Sequence, residues 1–162
     1  MHITIQIAGE KEVNRRIGVI LSAGADLRPA FKVVMGQLSK FQKQVFDKEG
    51  SHAGLEPWQA LAKSTIQRKG NSRILFENGK LMKGFTQDSS KGAVRDMDRI
   101  SMLWGINEST IPYAKYHQST KKRKAKFPRR APLRLPTQMR REIFKIVQEH
   151  IFTKRQGVQD NL

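Results

Sequence analysis

"DLRPAFKVVMGQLSKFQKQVFDK" runs from Asp26 to Lys48, and its periodicity decides the fold. Leu27, Phe31, Val34, Leu38, Phe41 and Val45 recur every three or four residues, so a helix gathers them into one apolar stripe. Lys32, Lys40, Lys43 and Lys48 fall off that stripe and are available to water. Asp26 is the expected N-cap, and Pro29 is tolerated in the first turn, where its missing N–H costs nothing. A stripe of this length has to be buried against another layer. Core packing explains it better than a cofactor role.

Working outward, "HITIQI" (2–7) alternates Ile3, Ile5 and Ile7 with His2, Thr4 and Gln6, the period of a half-buried strand. Between it and the long helix, Val13, Ile17, Ile20 and Leu21 have helical spacing and Gly24 offers a stop. On the other side, "DKEGSHAGLEP" (47–57) is a loop by its glycines, acids and proline. In "WQALAKSTIQRKG" (58–70), Ser64 is the expected cap of a short helix, because "STIQ" fits the capping box. Asn78-Gly79 within "ILFENGKLMKGF" (74–85) signals either a hairpin or a helix end. Two strands follow: a weak one from Thr86 to Val94, broken by "DSSKG", and "RISMLWG" (99–105). Last comes "PTQMRREIFKIVQEHIFTKR" (136–155). Here Thr137 is the expected cap, and Met139, Ile143, Ile146, Val147 and Ile151 form the apolar stripe.

The order implies an α+β fold: N-terminal helices, a central antiparallel sheet with a long basic loop, and a C-terminal amphipathic helix. A length of 162 residues suits one domain, taken as 1–155 with the basic loop at 119–134 and a frayed tail at 156–162. The absence of cysteine removes disulfide frameworks, thiolate zinc sites and a cysteine nucleophile. The opening "MHITIQIAGEKE" does not read as a secretory signal, and no run nears the ~20 apolar residues of a membrane span. Lys and Arg number 31 against 14 Asp and Glu, and a net charge of +17 seeks a polyanion or an acidic protein face.

No catalytic constellation emerges, and the expectation is a protein without enzymatic activity, metal or cofactor. His2, His52, His117 and His150 have no ligand spacing. Asp96 and Asp98, flanked by Arg95 and Arg99, look like a solvated turn more than a nuclease site, which would want a third acid.

"YAKYHQSTKKRKAKFPRRAPLRLP" (113–136) holds nine Lys or Arg and no acid. Lys121, Lys122, Arg123, Lys124, Lys126, Arg129, Arg130 and Arg134 are the candidate docking cations. With Tyr113, Tyr116 and Phe127 interleaved, they suit phosphates and stacked bases. They suit an acidic protein surface equally well, and a solvated charged loop is the bland alternative.

Four blocks occur in a telling order. "EPWQALAKSTIQRKG" carries Trp58, Leu61, Ser64, Thr65 and Lys69. "ILFENGKLMKGF" carries Leu75, Gly79 and Leu81. "YAKYHQ" carries Tyr113, Ala114, His117 and Gln118. "FPRRAPLRL" carries Pro128. Together, from about residue 40 to about residue 150, they resemble the phage virion morphogenesis family, the tail-completion or neck proteins of Mu-like and P2-like tailed phages. The pattern departs from the family after Gln118, where "STKKRKAK" replaces an expected glycine, and at Pro128–Pro132, where a second proline shifts the register. The resemblance implies a structural virion protein, assembled in the host bacterial cytoplasm and acting late at the tail or neck. It also implies a ring of copies touching neighbouring tail and head-completion proteins, with no membrane partner and with DNA passing nearby. The rival reading is a basic nucleic-acid-binding protein of phage or bacterial origin.

Overall fold

The computed structural model describes the backbone of 2–5, residues 26–118, Pro128 and residues 130–159, the side chains of 154–159 excepted. The helix expected from the spacing of Val13, Ile17, Ile20 and Leu21 lies outside the described residues, as do Gln6 and Ile7 of the first strand. The elements, in order, are β1 (His2–Ile5), α1 (Arg28–Asp47), α2 (Lys63–Lys69), α3 (Lys80–Thr86), β2 (Ala93–Met97), β3 (Met102–Ile106), α4 (Ala114–Gln118) and α5 (Thr137–Gln159). Helices and one antiparallel sheet make the α+β architecture that the sequence implies.

The sheet has strand order β1-β3-β2. β3 is central, with Trp104 opposite Ile3 on one side and Arg95 on the other. Met102, Trp104 and Ile106 alternate inward and are buried, because this face lies beneath helices. α1 buries nine residues, including its whole expected stripe from Phe31 to Val45. α3 packs on α1 and on β2 and β3, and α5 packs along α1. The α5 stripe is likewise buried at Met139, Ile143, Val147 and Ile151, with Ile146 partly covered.

Several local expectations change. Leu27, not Asp26, occupies the N-cap position of α1. Asp26 sits one residue earlier, yet its carboxylate still accepts the Arg28 N–H at 3.0 Å and pairs with the Arg28 guanidinium. Ser64 lies inside α2; Ala62 holds the N-cap position, without a side-chain cap. Asn78-Gly79 makes no hairpin: Gly79, at φ 74°, starts α3, and Asn78 accepts the Lys80 N–H at 3.1 Å. The weak strand is displaced to 93–97, because Thr86 still belongs to α3 and the polar run after it folds into turns. Thr137 is the first residue of α5 rather than its cap, and the helix continues to Gln159.

Arg95 fastens the sheet to α3. Its guanidinium donates to the carbonyls of Phe85 (2.8 Å), Gly84 (3.3 Å) and Gly105 (2.9 Å), pairs with Asp88, and lies 4.9 Å from the Trp104 ring centre. Burial lowers its pKa, and the Asp88 carboxylate opposes that shift.

Candidate functional site

The loop after α1 folds tightly because Gly50 has φ 95° and no side chain: a Cβ there would come within 2.8 Å of the Trp58 ring. Trp58 is thereby seated against Phe46, edge to face at 5.3 Å between ring centres. From this anchor the chain runs out through Gln59–Ala62 into α2, which buries none of its residues. α2, the turn before α3, and α4 then enclose a groove of about 850 Å³.

Blocks far apart in sequence meet in this groove. Leu61, Ser64, Thr65, Lys69, Leu75, Leu81, Tyr113, His117 and Pro128 all line it, together with Arg130. The other block residues support its walls. Trp58 is buried, Gly79 turns the chain into α3, and Ala114 is fully buried at the start of α4. Gln118 uses its amide as a strand would use its backbone, donating to the Leu133 carbonyl at 2.8 Å and accepting the Leu133 N–H at 3.1 Å.

That pairing joins the two ends of the basic stretch, and further side chains staple the returning end. Trp58 Nε1 donates to the Ala131 carbonyl at 3.1 Å, and buried Gln42 donates to the Pro132 carbonyl. Arg130, only 8% exposed, donates to the carbonyls of Gln59 (2.7 Å) and Ala60 (2.9 Å). Arg134 donates to the Glu56 carbonyl. These two arginines are therefore turned inward onto the chain's own carbonyls. Lys121, Lys122, Arg123, Lys124, Lys126 and Arg129 lie outside the described residues.

The groove is electropositive. Arg68, Lys69 and Arg130 face a single carboxylate, Glu77. Desolvation lowers the pKa of Lys69, and the charges of Arg130 and Arg68 push the same way against Glu77 and Glu49. Lys69 Nζ donates to the Arg73 carbonyl at 2.7 Å. Burial, then Glu77, raises the Tyr113 pKa, while a hydrogen bond from the Leu81 backbone opposes the rise. The Tyr113 and His117 rings meet edge to face at 6.5 Å.

A model of the phage virion morphogenesis family matches residues 9–151. The chain belongs to the phage virion morphogenesis family. No curated protein and no solved structure matches it. Membership gives the protein a role in building the phage virion. The motif residues by which the sequence resembles this family are the ones that line the groove or fix its walls.

Arg68, Phe76 and Gln42 escaped the sequence reading. Arg68 was within reach, since helical spacing sets it beside Ser64 and Thr65. Gln42 carried no signal, because its carbonyl partner is 90 residues away. Asp98 is part of a turn: it accepts the N–H groups of Ile100 (2.8 Å) and Ser101 (2.7 Å), which hold its carboxyl below the usual range. Asp96 is exposed on β2. Among the described residues, no group of three His, Asp or Glu could hold a metal, and no helix is long and apolar enough to cross a membrane.

Proposed function

We propose that this family member completes the phage tail or neck and helps join tail to head, as a homo-oligomeric ring without enzymatic activity. The observation that carries the reading is the convergence of the family blocks on one electropositive groove, beside a basic segment whose two ends are pinned to the fold. A ring subunit needs a rigid body for its neighbours and a separate segment for the layers above or below. The basic segment 119–134 supplies that second element and docks on an acidic neighbouring protein.

Changing Lys121, Lys122, Arg123 and Lys124 together to Ser tests this. The fold is expected to survive and the joining of heads to tails to fail, scored by infectious titre and by electron microscopy of unjoined particles. Normal titre would sink the docking role, and purified protein that never forms rings would sink the ring.

The charge of +17 favours a second reading, direct contact with DNA. Anisotropy titrations against duplex DNA separate the two. Six to ten phosphate contacts lose about 10³–10⁵ in affinity between 50 and 200 mM salt, whereas weak, salt-shallow binding leaves the protein-docking reading in place.

A further inference from the structure

α2 has seven residues, no side-chain cap and no buried residue. Helices this short are marginal on propensity alone and are ordinarily held by a packed face. Here Ser64, Thr65, Arg68 and Lys69 of α2 face the groove instead. The rest of the lining sets apolar Leu75 and Phe76 beside polar Glu77 and Asn78, and the Arg73 guanidinium covers one face of the Phe76 ring at 3.8 Å.

We propose that the groove receives an acidic segment of another virion protein. The segment's Asp or Glu side chains meet Arg68 within the field of Lys69 and Arg130, and its apolar side chains lie against Leu75 and the open face of Phe76. The proposal rests on the reading of this chain as an assembly component, and it names a docking site separate from segment 119–134.

Charge selects the occupant. Three cations against Glu77 leave the groove complementary to carboxylates. Lys69 and Arg130 already donate to backbone carbonyls, so they supply field more than outward-facing donors. Arg68 is exposed, which leaves its fork available to a carboxylate. Duplex DNA fits less well, because its phosphates need several outward donors and its paired bases do not reach the groove's apolar side chains. A peptide with mixed acidic and apolar side chains uses both kinds of lining, and its docking would give α2 the burial it lacks.

The test places the photo-crosslinker p-benzoylphenylalanine at position 65 in the full-length protein, irradiates infected cells during assembly, and maps the cross-linked peptide by mass spectrometry. The expected product is a peptide of another virion protein with Asp or Glu next to the cross-link. Arg68→Glu is expected to reduce its yield on the order of ten-fold, and Arg68→Gln by less. Circular dichroism of both variants checks that they remain folded. A cross-link to DNA or to a second copy of this chain overturns the proposal. So does a partner peptide lacking acids, the absence of any product, or a yield indifferent to Arg68. If these results fail while the Lys121–Lys124 serine variant still blocks joining, the groove proposal falls and the assembly reading stands.

Discussion

α1 and α2 are both helices with basic residues on their exposed surfaces, yet they belong to the molecule in opposite ways. α1 buries nine of its residues between the sheet and α5. α2 buries none and walls a groove. The first is held by area removed from water, the second by its neighbours in the chain and a glycine C-cap at Gly70, φ 71°. Stability is thus concentrated in one layer, and the candidate site is built on an element that contributes little to it.

The sharpest way to break this contrast is to cut the α1 core. Leu38 is 1% exposed, and Leu38→Ala is expected to cost about 2–5 kcal/mol, read from chemical denaturation. Gly50→Ala comes next. Its positive φ and the 2.8 Å approach to Trp58 should cost more than about 1 kcal/mol and disturb the Trp58 fluorescence. A loss below a few tenths would show that the loop relaxes freely.

A smaller effect is expected from pH. Burial, then the charge of Lys48, holds the His52 imidazole below its ordinary value, and its ring sits 5.2 Å from that of Phe41. A depressed folded pKa means that the stabilising neutral form is fully present above the unfolded value of about 6.5. The contribution is lost as pH falls through the lower folded value. The thermal midpoint should therefore drop modestly between neutral and mildly acidic pH, and His52→Gln should flatten that part of the profile. The smallest effect belongs to α2: Arg68→Glu should change stability by less than about 0.5 kcal/mol. A larger loss would mean that α2 contributes to the fold after all.

Periodicity made the α1 and α5 stripes legible, since burial on one helical face writes itself into spacing. The central strand was legible for a similar reason: Met102 and Trp104 alternate with Leu103. Local polar chemistry was less transparent. Asn78-Gly79 announces a turn but not whether a strand or a helix follows it, and here a helix does. The groove was readable only as a set of family-like blocks, not as a place, because its walls come from segments separated by loops. The basic stretch was the least legible. Arg130 and Arg134 read in the sequence as cations like any others, but backbone carbonyls at 50–60, out of reach of any local pattern, turn them inward.

The Gln118–Leu133 pairing has a mechanical consequence. With the Arg130, Ala131 and Pro132 contacts, it fixes the chain on both sides of 119–129. At about 3.3–3.6 Å per residue, and with the chain obliged to return by Arg130, covalent geometry keeps every backbone position between them within roughly 20 Å of a fixed end. Whatever those charges touch must come close to that radius. The fixed ends therefore act as a ruler for the distance at which the charges of 119–129 can act.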